Sequence, residues 1–283
     1  MKLVLFNDFV PGVLNGDCVV DVSDVVNDIP HVDAQTLMSG LIVRFDQYRG
    51  ALEKAMEFSE GVPVDQVRLR PPLPEPTRLV CMAGNYMEGA SLVSDRDAFL
   101  KSPSAIIGPG DTVVIPDCPA PHFHHEAELA FVIGKTASKV KAEDASDYIF
   151  GYTNFIDVSA RELMPNGSQS YFWQKSWDTF APIGPAIVTA DEIHDPQDLG
   201  IKLWVSGDLR QDLSTSDMGR SCAEVLEFVT WLTTMKPGDV ISTGTNHVGL
   251  GPIQDGDVIE MEIEGLGRLS VNVRDDWKRT WPR

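Results

Sequence analysis

Residues 258–273 read VIEMEIEGLGRLSVNV. Ile259, Met261 and Ile263 alternate with Glu260, Glu262 and Glu264, and Leu269, Val271 and Val273 resume the alternation after a glycine-containing turn. A two-residue period puts successive side chains on opposite faces of a strand, so the pattern predicts a hairpin with one buried and one wet face. The glutamates then belong to solvent and carry no chemistry. Apolar, β-branched runs bounded by Gly, Pro or Asp extend the same reading back along the chain: RLVCMAG, TVVIP, AELAFVIG, AIVTA, IKLWVSG and DVISTG. The fold class that follows is α+β and sheet-dominated.

Helical spacing interrupts the strands in three places. From about Gln35 to Phe58, Leu37, Leu41, Phe45, Tyr48, Leu52 and Met56 recur at three- and four-residue steps, a stripe that predicts core packing. Shorter patterns run from Ala142 to Tyr148 and from Ser221 to Met235, the latter with an apolar face of Val225, Phe228, Val229 and Leu232 and a stop at Lys236, Pro237 and Gly238. The stretch RPPLPEPTR, residues 70–78, holds four prolines in nine positions and sustains neither a helix nor a central strand. It predicts a small N-terminal α/β unit over residues 1–70, a proline-rich linker over 71–78 and a larger unit over 79–283.

With 283 residues, 43% of them apolar, the chain buries a real core. A net charge of -19, from 23 basic and 42 acidic residues, repels phosphate backbones and anionic lipid, so no nucleic acid and no membrane partner is expected. Small anionic substrates stay open, because a local cation dominates its own pocket. Cys18, Cys81, Cys118 and Cys222 show no CxxC spacing, and the opening MKLVLFNDFV has no signal-peptide pattern, which together point to a reducing cytoplasm.

In HHEAELAFVIG, residues 124–134, Glu126 and Glu128 stand two apart at the start of an apolar strand and so leave the same face. Two adjacent carboxylates repel, which fits either a solvent-facing strand edge or a bound cation. In GYTNFIDVSARE, residues 151–162, Asp157 ends another apolar run. It is either the cap of a following turn or a third oxygen ligand for a hard cation such as Mg²⁺, Mn²⁺ or Ca²⁺.

At this point the order of motifs carries a resemblance. RLVCMAGNY (78–86), FLKSPSAIIGPGD (99–111), HHEAELAFVIGK (124–135), DYIFGYTNFIDVSARE (147–162), QKSWDTFAPIGP (174–185), RQDLSTSDM (210–218) and KPGDVISTGT (236–245) resemble successive signature blocks of the fumarylacetoacetate hydrolase family. The resemblance covers roughly residues 78–275. It implies a mixed β-roll catalytic domain, a homodimer, and a divalent metal held by Glu126, Glu128 and Asp157. It also implies that Lys175 stands beside the metal and stabilises negative charge as a C–C bond breaks. Arg161 is then a clamp for a substrate carboxylate or a salt-bridge partner of nearby acids. Thr245 either donates to substrate or serves its turn, and Tyr86 is a candidate substrate contact.

Three positions depart from the family pattern. Many relatives carry a His three residues after the Asn-Tyr of the first block and a Glu three further on, where NYMEGASL places Gly89 and Leu92; Met164 replaces a common Gln. A replacement base can come from Glu88, His122, His124 or His247, each of which also has a plain structural reading; His125 points away from Glu126 and reads as structural. Alternatively, no activated water is needed. The expected function is divalent-metal-dependent hydrolysis of a C–C bond in a small β-diketone acid, acylpyruvate or fumarylacetoacetate-like. The alternatives are an oxaloacetate-type decarboxylase, a hydratase or isomerase of aromatic-catabolism intermediates, and a noncatalytic metabolite-binding protein.

Overall fold

The computed structural model describes residues 1–163 and 170–282. Met164 therefore lies outside the described residues. The architecture is sheet-dominated, as the alternation requires. A 12-stranded sheet runs, in order, through Val62–Pro63, Cys18–Asp21, Val10–Asn15, Lys2–Phe6, Ala181–Thr189, Ile149–Ile156, Ala127–Ile133, Val240–Ser242, Leu79–Ala83 and Asp97–Lys101, with two short strands off this path. A five-stranded sheet orders Asp208–Ser214, Gly200–Val205, Val258–Ile263, Gly267–Arg274 and Thr112–Val114.

The hairpin over 258–273 forms in the expected register, with Met261 opposite Leu269. Ile259, Met261 and Ile263 are fully buried, and Arg268 on the wet face pairs with Glu260 and Glu262. The strand Ala127–Ile133 behaves differently, since all seven of its residues are buried. It lies between Ile149–Ile156 and Val240–Ser242. Leu129, Phe131 and Ile133 enter one core, while Ala130 and Val132 enter a second. That second core also contains Leu3, Leu5, Val13, Leu37, Leu41 and Leu52, so the N-terminal segment covers the face from which Glu126 and Glu128 project. Lys2–Phe6 pairs directly with Ala181–Thr189, and the sheet continues across the proline-rich stretch.

The helical readings hold with two corrections. Gln35 to Phe58 is two helices, Ala34–Val43 and Phe45–Phe58, parted at Arg44, whose N–H tightens back onto Leu41 and Ile42 carbonyls. After this break Phe45 meets Phe150 edge-on, with ring centres 5.1 Å apart. Ala142–Asp147 is a 3₁₀ helix, because six residues are too few to nucleate an α-helix on their own. The helix Cys222–Leu232 begins at a reciprocal Ser221–Glu224 cap, a device contributing about 1 kcal/mol. Among the described residues no helix is long and apolar enough to cross a membrane, and all four cysteines are free.

Candidate active site

The antiparallel register Ala127↔Ile156 sets Asp157 across from Glu126, and the Asp157 N–H donates to the Glu126 carbonyl at 2.9 Å. Glu128, two residues on, leaves the same face. The three carboxylates offer oxygens that lie within 4.8 Å of one another, at exposures of only 3%, 1% and 0% for Glu126, Glu128 and Asp157. A solvent-facing strand edge is thereby excluded. Nor does the Asp157 carboxylate cap a turn, because its two oxygens accept from Lys101 and, at 2.5 Å, from Lys175.

Cations surround this cluster unevenly. Lys175 Nζ also donates to Glu126 Oε2 at 2.7 Å, and Arg161 donates to the other Glu126 oxygen. Glu128 accepts from the Ser242 hydroxyl and from the Gly244 N–H at 3.1 Å and forms no ion pair among the described residues. The charge states follow. Burial and the neighbouring Asp157 and Glu126 push the Glu128 carboxyl well above the usual carboxylate range. Burial also pushes Glu126 upward, but Lys175 and Arg161 outweigh it and hold that group low. For Lys175, burial favours the neutral amine and is overcome by Asp157, Glu126 and Glu128, so the ammonium persists. A buried carboxylate without a cation, beside two others, fits a divalent ion held by oxygen ligands.

Glu126 and Glu128 form the floor of a cavity of about 270 Å³ lined also by Gly84, Arg161, Tyr171, Gln174, Lys175, Thr245 and His247, and Asp157, outside the lining, is joined to that floor through Lys175. Lys175 and Gln174 arrive on the short helix Tyr171–Lys175, whose first turn is capped by Ser170. Thr245 lines the wall, but its hydroxyl donates to the Ala127 carbonyl at 2.7 Å. Tyr86 is buried and is not part of the lining.

The four candidate bases and His125 are distributed unequally. Arg161 Nε donates to His124 Nδ1 at 3.2 Å, which leaves the His124 proton on Nε2. Burial, with Arg161 and His122 beside it, drives the His124 pKa down to about 3. His122 packs against His124 with the rings tilted by 35° and their centres 4.6 Å apart, outside the lining. His125 is buried and meets Gln211 Oε1 at 3.1 Å. Glu88 and His247 meet each other at the mouth.

Sequence reasoning missed Lys101 and Gln211. Lys101 is 1% exposed and reaches Asp157 and the Val158 carbonyl from the strand Asp97–Lys101. Gln211 ties His125, the Ala127 N–H, Thr245 and the Asn246 carbonyl into one network beside the strand that follows Glu126. Both stand inside quoted blocks, yet a single lysine or glutamine has no period that marks it as interior.

Comparison with known proteins agrees with this geometry. The family model described as fumarylacetoacetate (FAA) hydrolase C-terminal matches residues 78–274. A maleylpyruvate hydrolase of Aquipseudomonas alcaligenes is 32% identical over 97% of this chain and 99% of that protein. An oxaloacetate tautomerase of Bacillus subtilis is 37% identical over 74% of each chain. Among solved structures, maleylpyruvate hydrolase from Sphingobium sp. SYK-6, in complex with manganese(II) and pyruvate, superposes with a TM-score of 0.88 at 37% identity, covering 97% of this chain and 99% of that one.

Proposed function

The chain belongs to the fumarylacetoacetate hydrolase family and is an enzyme, and from that premise we propose that it hydrolyses a C–C bond in a small β-diketone acid of the acylpyruvate type. The observation that carries the reading is the buried cluster of Glu126, Glu128 and Asp157 with Lys175 bonded to two of the three. Glu126, Glu128 and Asp157 would hold the metal, with Mg²⁺ or Mn²⁺ fitting an all-oxygen donor set and Ca²⁺ tolerated by it. A divalent ion bound there supplies Lewis-acid stabilisation of an enolate oxygen. Lys175 adds a fixed positive charge where negative charge develops on the leaving 2-oxo acid. Arg161, 23% exposed at its side chain, would exchange its bond to Glu126 for a substrate carboxylate once the metal shares that oxygen.

Hydrolysis is favoured over tautomerisation because the maleylpyruvate hydrolases match nearly the whole chain, N-terminal segment included, whereas the tautomerase match stops at 74%. Isomerases from Mycobacterium smegmatis and Mycobacterium abscessus also cover nearly the whole chain, but at 30% and 31% identity and TM-scores of 0.76 and 0.83, against 37% and 0.88 for the hydrolase. The tautomerase likeness supports one second reading, keto-enol isomerisation of a similar acid. Purified protein with Mn²⁺ is expected to bleach the ultraviolet enol absorbance of acylpyruvates and release pyruvate. Bleaching without pyruvate release would instead support tautomerisation, and an unchanged absorbance across a panel of acylpyruvates would defeat both readings.

A further inference from the structure

The mouth of the cavity holds an acid-base pair that the carboxylate floor does not use. His247 lines the cavity, and its Nδ1 lies 2.5 Å from Glu88 Oε1. The same oxygen accepts the His247 backbone N–H at 2.9 Å. Glu88 is held in turn: its own N–H donates to Asp217 Oδ2 at 3.2 Å, and that oxygen accepts from Asn246 Nδ2 at 2.7 Å. Two loops 159 residues apart are thus tied across the opening. Glu88 also adopts a positive φ of 51° immediately before Gly89, a turn that brings its carboxylate to the loop carrying His247.

The geometry decides the tautomer. A carboxylate on Nδ1 places the ring proton there and leaves the Nε2 lone pair unspent, the arrangement in which an imidazole accepts a proton while an acid orients it. His124 and His125 lack this arrangement, because Arg161 occupies His124 Nδ1 and His125 is packed against Gln211. His247 alone among the described histidines both lines the cavity and has a carboxylate on Nδ1.

We propose that His247 is the general base of the reaction and that Glu88 is its positioning residue. The inference rests on the acylpyruvate reading above and adds the proton path. Nε2 takes a proton from water while the water oxygen forms a bond to the distal acyl carbon. The C–C bond then breaks, its electron pair stays with the 2-oxo acid as an enolate, and the imidazolium returns the proton to the enolate carbon. The histidine ends neutral, and water has been added across the broken bond.

The test compares full-length wild type, His247→Gln, Glu88→Gln and Glu88→Asp, each loaded with Mn²⁺, for acylpyruvate turnover and pyruvate binding. Nitrogen-15 shifts of the imidazoles are recorded alongside on the same proteins loaded with diamagnetic Mg²⁺ in place of Mn²⁺. His247→Gln is expected to lower kcat by about 10² to 10⁴ with KM and pyruvate affinity little changed. Glu88→Gln loses less, Glu88→Asp recovers part of that loss, and the Nδ1–H tautomer of His247 seen in wild type disappears in Glu88→Gln. Wild-type kcat in His247→Gln, or an Nε2–H tautomer in wild type, overturns the proposal. If wild type hydrolyses no acylpyruvate, the parent reading has failed separately, and solvent-deuterium uptake into C3 of pyruvate decides the pair. Uptake slowed in His247→Gln sustains the base; equal uptake, or none in wild type, overturns it.

Discussion

Asp157, joined to the cavity floor through Lys175, is fully buried between two lysines, whereas His247, at the mouth, keeps half of its side chain in solvent and is oriented by one carboxylate. The floor is built on central strands of the large sheet, where register places each side chain. The mouth is built on loops, where a few hydrogen bonds do the same. Charges at the floor are held by one another and by a few buried hydrogen bonds, so removing one disturbs stability together with metal binding or chemistry. A charge at the mouth is solvated either way, so its removal should touch chemistry alone.

The strongest way to break this contrast is Glu128→Gln, which keeps the shape and deletes the one carboxylate that lacks a cation. Mn²⁺ affinity should fall by more than the roughly 100-fold typical of losing an outer-shell partner. The same change should stabilise the metal-free protein at neutral pH. Because folding raises the Glu128 pKa, that group's contribution is full below the ordinary glutamate range and declines as pH rises toward the folded value, a decline the amide abolishes. Calorimetric titration with Mn²⁺ and urea midpoints from pH 4 to 8 read both effects.

Lys101→Met comes next. It strips a buried cation from Asp157 and should cost about 3–5 kcal/mol of stability in urea unfolding. Lys175→Met should lower kcat by about 10² to 10³, the scale of losing one group that stabilises developing negative charge. It should leave Mn²⁺ binding intact or tighter, since a like charge beside the ion is gone. Smallest of all, Glu88→Gln should shift stability by no more than about 0.5 kcal/mol, as expected for a surface substitution. A large loss of stability there would erase the distinction between floor and mouth.

The same distinction explains what was legible in the sequence. Strand periodicity put Glu126 and Glu128 on one face, but it left a wet edge or a turn cap as open as a cation site, and only the resemblance in motif order grouped them with Asp157. The hairpin over 258–273 was readable from the same periodicity. The burial of both faces of Ala127–Ile133 was not, because its second cover comes from Leu3, Leu5 and Leu41, far away in sequence. Lys101 looked like any surface lysine until the strand Asp97–Lys101 turned it inward. Glu88 and His247 were visible as titratable residues, but their pairing depends on loops whose meeting no local pattern encodes.

The reading of the floor as a hydrolytic metal centre is tested most directly by the mass balance of one reaction. Full-length protein with Mn²⁺ is given an acylpyruvate in ¹⁸O-labelled water, and the products are weighed. Hydrolysis yields pyruvate and a carboxylic acid that carries one solvent oxygen in its new carboxyl group, and chelation of the metal abolishes both. Recovery of an unbroken acid of unchanged mass, or loss of CO₂ in place of pyruvate release, would contradict it.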